Sequence, residues 1–265
     1  MSCSPSIALE EDYSRATVFG IPLARVTSDQ AVSLVDRLIE RRRPGFFITA
    51  NLHYAMLTGR HRQLAAVNDR AAFILADGMP LVWYSRLGRR PLPERVTGAD
   101  LIYRLCRRAA EKRHRVFLLG GAEGVARQAA ENLCRRYPGL KIVGTEAPPF
   151  RQLTPEEHQQ MIARIRRARP DLLLVALGQP KGEIWLAENC PAIGVPACAQ
   201  VGASFDFVAG RIRRAPKWIQ RIGMEWLYRI SREPRRMVPR YLADAVFLLR
   251  AVWGDLLGTL KPATR

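Results

Sequence analysis

The chain has 265 residues, 48% hydrophobic and 25% charged, ordinary proportions for a globular protein and enough for one large core or two smaller ones. Its net charge of +18 is not ordinary, and because arginine supplies most of the excess, planar two-pronged recognition of phosphate is favoured; nucleic acid, an anionic membrane surface and a diphosphate substrate all stay open as partners. Five scattered cysteines without C-x-x-C spacing fit a reducing compartment better than a disulfide scaffold, and four histidines without H-E-x-x-H or H-x-x-x-H spacing leave no recognisable zinc site.

In chain order, the first residues "MSCSPSIALEEDYSR" lack a basic start followed by an apolar core, so no secretory signal is expected and the cytoplasm is the default location. A loose N-terminus is expected over 1–16, where the sequence is polar and aperiodic. Four continuous apolar runs follow, "GFFITAN" (45–51), "AAFILAD" (71–77), "RVFLLGG" (115–121) and "PDLLLVALG" (170–178). Between them lie segments with apolar positions near helical spacing, such as Leu101, Leu105 and Ala109, or Met161, Ile162 and Ile165. Thr154, Pro155 and Glu157 form a capping-box signature, and Thr27 or Ser28 opens an earlier helix. Continuously apolar strands alternating with helices imply an α/β fold, a Rossmann-like parallel sheet with helices on both faces over 17–210. The shorter runs "LKIVG" (140–144) and "AQVGASFDF" (199–207) are expected to extend that sheet.

The character changes after Gly210. Residues 211–240 hold ten Arg or Lys against two Glu, with Trp218, Trp226 and Tyr228 among them. The mostly apolar stretch 241–260 follows, interrupted by Asp244, Arg250 and Asp255. Those charges argue against a membrane span, which needs about twenty predominantly apolar residues. A basic, amphipathic helical appendage over 211–265, lying at a membrane surface or packed on the body of the domain or another subunit, fits better.

Candidate chemistry sits at the strand ends, because ligands of open parallel sheets bind outside the carboxyl ends of the strands. Asp77 ends the second run just before Gly78 and Pro80. It reads either as a catalytic base or as the N-cap of the helix that follows. Thr49 and Asn51 end the first run, Gly178 and Gln179 (with Lys181 and Glu183 beyond) the fourth, and Ser204 and Asp206 lie in a later turn. Gly120, Gly121 and Gly124 form a G-G-x-x-G turn that can cradle a phosphate or simply tighten a strand-to-helix connection. No D-x-D pair occurs, so clustered carboxylates of the kind that hold a divalent cation are not expected.

The succession "TAN" (49–51), "ADG" (76–78), "VTGADL" (96–101), "VFLLGG" (116–121), "PDLLLVALGQPKGEIW" (170–185), "VGASFDFVAG" (201–210), "RAP" (214–216) and "GMEWLYRISREPRRMVPRY" (223–241) resembles the WecG/TagA/CpsF family of bacterial glycosyltransferases. The resemblance implies an inverting, metal-independent transfer of a sugar from a UDP-sugar to a polyprenyl-diphosphate-linked saccharide. It places the enzyme peripherally on the inner face of the cell membrane, in cell-surface polysaccharide synthesis, with no cofactor. It also implies Asp77 as the catalytic base, Thr49 and Asn51 as donor-pocket residues, and Arg229, Arg236 and Arg240 as arginines of an appendage over the active site. Asp206, with Gly202 and Gly210, falls in a shared glycine-and-aspartate segment. One departure stands out: the family pattern G-x-P-K-Q-E has Gly182 at its glutamine, so an amide contact is missing or taken over by Gln179. The transferred sugar is left open among N-acetylmannosamine, its uronic acid and glucose, and a homo-oligomer is left open. The rival classes are a nucleic-acid-binding protein, as the basic Trp-bearing segment suggests, and a non-catalytic membrane adaptor.

Overall fold

In the computed structural model, which describes residues 12–256, the four long apolar runs are strands. The chain opens with a hairpin, β1 (Arg15–Val18) and β2 (Ile21–Ala24), turned by Phe19 and Gly20, both at positive φ. Then come α1 (Ser28–Arg41), β3 (Phe46–Ala50), α2 (Leu52–Thr58), α3 (Arg62–Arg70), β4 (Phe73–Ala76), α4 (Met79–Ser85), α5 (Gly98–Lys112) and β5 (Arg115–Gly120). The second half continues with α6 (Val125–Arg136), β6 (Lys141–Glu146), α7 (Pro155–Ala168), β7 (Leu172–Ala176), α8 (Lys181–Ile193), β8 (Ala197–Gln200), α9 (Ser204–Val208), α10 (Lys217–Arg221), α11 (Glu225–Arg232) and α12 (Pro234–Leu256).

Strands β3 to β8 form one parallel sheet in the order β4-β3-β8-β7-β5-β6. Alternate residues of each strand feed two separate cores. Phe47, Phe73, Leu118, Leu174 and Ala199 face α1, α5 and α6, whereas Ile48, Ile74, Leu119, Val175 and Cys198 face α3, α7 and α8. Burial on both faces is why these strands read as unbroken apolar runs. The parallel arrangement puts all six carboxyl ends on one rim, and that rim carries the site.

Three expectations are corrected. Residues 12–16, within the segment expected to be loose, are ordered: β1 begins at Arg15, and the Tyr13 hydroxyl donates to the Ala72 carbonyl at 2.9 Å. Residues 1–11, which bear on the secretion reading and include Cys3, lie outside the described residues, as do 257–265. The run 199–207 is not one strand. It leaves the sheet after Gln200, bends at Gly202 with φ near +59°, and becomes the short helix α9. Finally, Asp77 does not cap the helix after it: the N-cap of α4 is Gly78, with no side-chain cap. Thr27 caps α1 with Gln30 and Thr154 caps α7 with Glu157, both as capping boxes.

Candidate active site

A cavity of about 1430 Å³ opens along the strand-end rim. Its walls are the loops after β3, β4, β7 and β8, the β6–α7 loop, and the inner faces of α11 and α12. Asp77, Thr49, Asn51, Gly121, Gly178, Gln179, Asp206, Arg229, Arg236 and Arg240 all line it. Gly120 does not. A Cβ there would lie 2.5 Å from the Ala176 carbonyl oxygen, and the Gly121 N–H donates to that same oxygen at 2.9 Å. The glycine turn therefore clamps β5 against β7, which corrects the reading of Gly120 as a phosphate cradle.

Asp77 occupies the rim where β4 ends. Its Oδ2 accepts the Gly98 N–H at 3.1 Å, the first residue of α5, whose N-cap Thr97 accepts from Asp100 N. The carboxylate thus meets an orphan helix N–H, but of a helix twenty-one residues further on rather than of α4. Burial pushes its pKa up to about 6, against the pull of the Gly98 N–H and of Arg95; Glu225 pushes it up further and Arg214 lowers it. A carboxylate tuned in this way is deprotonated near neutral pH yet basic enough to accept a proton.

The polar groups beside it are partly engaged. The Thr49 hydroxyl donates to the Gln200 carbonyl at 3.1 Å. Asn51 caps α2, its Oδ1 accepting from Tyr54 N at 2.9 Å. Gln179 accepts from Arg240 Nη2 at 3.4 Å, and the space a side chain at position 182 would occupy is filled by the Gln200 amide, 2.2 Å from a Cβ built at Gly182. Gln200, not Gln179, therefore stands over Gly182. Glu183 is fully buried behind the rim and outside the cavity lining, with its pKa pushed up to about 7 by burial.

On the opposite wall, the Arg229 guanidinium lies 5.5 Å over the Phe207 ring, Arg236 pairs with Glu233 at 3.1 Å, and Arg240 is largely buried with its Nε unpartnered. Asp206 is half-buried, and burial raises its pKa against the pull of Arg211, Arg236 and Arg229. Among the described residues, no three His, Cys, Asp or Glu side chains gather in a way that could hold a metal ion.

A carboxylate with a raised pKa facing several guanidiniums across a shared cavity suits transfer chemistry with an anionic leaving group, and comparison with known proteins agrees. Residues 16–261 match the family described as Glycosyl transferase WecG/TagA/CpsF family. The chain belongs to this family. It is 31% identical over 209 residues, 77% of its length and 79% of the relative's, to an N-acetylglucosaminyldiphosphoundecaprenol N-acetyl-beta-D-mannosaminyltransferase of Bacillus spizizenii. A protein of the same description from Bacillus subtilis is 28% identical over 231 residues, 85% of this chain and 88% of the other.

The glycosyltransferase also carries site residues to which the sequence reading gave no role. Arg95 pairs with Glu225 at 3.4 Å, and Arg214 reaches Glu225 Oε1 at 3.3 Å, Asp100 Oδ2 at 2.9 Å and Thr97 Oγ1 at 3.3 Å. This cluster ties α11 to the start of α5, beside Asp77. Thr97, Asp100, Arg214 and Glu225 lie within the motifs "VTGADL", "RAP" and "GMEWLYRISREPRRMVPRY", and Arg95 immediately precedes the first of them. Replacing Arg214 with Ala leaves Asp100 without its ion-pair partner and Glu225 with Arg95 alone, and a loss of roughly 2 kcal/mol is expected in a chemical melt. An unchanged midpoint would show that the cluster adds nothing to the docking of α11.

Proposed function

We propose that the protein transfers a hexose, of the N-acetylmannosamine class, from a UDP-sugar to a saccharide carried on a polyprenyl diphosphate, by a single inverting displacement without a metal ion. The observation that carries this reading is the meeting of Asp77 with Arg229, Arg236 and Arg240 on one cavity. The relatives' names support the sugar and the lipid-linked acceptor.

Asp77 takes the proton of the acceptor hydroxyl as its oxygen attacks the anomeric carbon from the face opposite the leaving group. The bond to the donor diphosphate breaks with inversion, and negative charge develops on the departing phosphate oxygen. Arg229, Arg236 and Arg240 meet that charge from the cavity wall, as fixed donors aimed at where it develops. Arginine suits a diphosphate because its fork of N–H groups can contact two oxygens at once. Incubation with a UDP-sugar panel and a lipid-linked acceptor tests the reading; release of UDP that does not depend on the acceptor would count against it.

The same reading places the enzyme against a membrane surface. Among the described residues, no helix is long and apolar enough to cross one. Helix α12 packs Phe247, Leu248 and Val252 on the body while Leu242, Val246, Leu249 and Trp253 stand exposed on a single stripe, beside the basic segment 211–240. An apolar stripe flanked by arginine suits an anionic bilayer surface. Replacing Leu249, 70% exposed, with Glu is expected to weaken co-sedimentation with anionic vesicles about tenfold while leaving the melting temperature unchanged. Equal sedimentation of both forms would remove the stripe from the interface.

A further inference from the structure

One hydrogen-bonded pair on the cavity wall has no part in the mechanism above. His53, near the start of α2, and Asp244, on α12, both line the cavity, with Nδ1 and Oδ1 2.8 Å apart across 191 residues of sequence. Asp244 is 4% exposed and, as a carboxylate, only accepts, so the shared proton sits on Nδ1 of the imidazole. That bond fixes the ring's orientation. The second nitrogen, Nε2, hydrogen-bonds to no described residue, while the ring remains one-fifth exposed on the cavity wall. Asp244 also lies one helical turn beyond Arg240, where burial lowers the Arg240 pKa and Asp244 partly opposes that shift, so the pair belongs to the anion-binding wall.

Resting on the reading of the cavity as a diphosphate site, we propose that His53 is a further substrate-contacting residue: with its ring held by Asp244, it donates its Nε2–H to the diphosphate that Arg229 and Arg240 meet. The diphosphate belongs either to the nucleotide-sugar or to the lipid-linked saccharide, and the same chemistry serves both. The elements packed against α2 are α12, α3 and β3. From α12 the facing groups are Asp244, Arg240 and Tyr241; Arg62, Asp69 and Arg70 of α3 are exposed; β3 carries no ionisable residue; Asp77 shares the rim.

The test is calorimetric titration of the full chain at pH 5.5, 7 and 8.5, in separate arms with UDP-N-acetylmannosamine and with a farnesyl-diphosphate-linked N-acetylglucosamine. Both probes are diphosphate diesters whose charge is constant over that range. Asp77 titrates there too, so the decisive quantity is the difference between the parent and His53→Asn. This variant keeps an N–H for Asp244 in the place of Nδ1 and removes Nε2. One probe is expected to bind His53→Asn about tenfold more weakly than the parent at pH 5.5 and within about twofold at pH 8.5, and that probe identifies the source of the diphosphate. Asp244→Asn, which keeps a hydrogen-bond acceptor but removes the charge, is expected to lose most of the same advantage at pH 7. It serves as the readout if His53→Asn does not fold. Equal binding of parent and variant at every pH, with both probes, overturns the assignment of His53. If the parent binds neither probe at any pH, the diphosphate reading fails first, and the inference falls with it.

Discussion

Asp77→Asn is expected to lower kcat by about a hundred- to ten-thousandfold while leaving the protein folded and somewhat more stable at neutral pH. Asn retains the oxygen that accepts from Gly98 N–H but has no basic electron pair for the acceptor proton. The stability gain follows from the direction of the pKa shift. Burial raises the folded-state value from 3.8 to about 6, so between those two values the folded state binds the proton more tightly than the unfolded chain does. Stability associated with this group is therefore full below about pH 4 and lost as pH rises through 6, and at pH 7 the ionised carboxylate is a net burden on the fold. Removing it should return roughly 1–2 kcal/mol, read as a higher melting temperature. For the parent enzyme, kcat/KM should fall on the acid side with an apparent pKa near 6, and the Asn variant should lack that limb. Near-normal turnover by a folded Asn variant would leave Asp77 as an acceptor for the first N–H of α5 and nothing more.

Arg240→Ala is expected to cost about a hundredfold or more in kcat, with a smaller change in KM for the donor, because its guanidinium acts most on charge that appears only as the diphosphate departs. Its environment allows this effect to be separated from folding. Arg240 is largely buried, its Nε has no partner, its contact with Gln179 is long at 3.4 Å, and burial lowers its pKa. Such a cation contributes little to the stability of the fold and is held for another purpose. Arg240→Lys should recover only part of the rate, since a point charge cannot present two N–H groups to one diphosphate. The Arg229→Ala, Arg240→Ala double variant should lose less than the product of the two single losses, since both meet the same charge. A KM increase with kcat unchanged would reassign Arg240 to ground-state binding of the donor.

The sheet was legible because strands buried on both faces are continuously apolar, and their carboxyl ends then locate the cavity without further information. Asp77, Thr49 and Asn51 were found by that route. The hairpin β1–β2 escaped because its strands are four residues long and its turn is Phe-Gly, where Asn-Gly or Asp-Gly would have signalled it. Helix α9 reads as strand in the sequence because Ser204 to Phe207 alternate polar and apolar residues as a strand does. Arg95, Gln200, His53 and Asp244 carry no spacing signature. Each acquires its surroundings from chain segments far away in sequence, as the 191-residue separation of His53 and Asp244 makes plain. Asp77 is the mixed case: a capping role was readable, but its partner is Gly98 of α5, a long-range contact that local sequence does not encode.

The most direct test is a reaction of the metal-chelated full-length protein with UDP-N-acetylmannosamine and a prenyl-diphosphate-linked N-acetylglucosamine, followed by mass and anomeric analysis of the lipid product. The expected result is an acceptor heavier by one N-acetylhexosamine, its new linkage opposite in anomeric configuration to the donor's, formed by the parent and not by Asp77→Asn. A product with retained configuration, or equal product from Asp77→Asn, would contradict a displacement driven by that carboxylate.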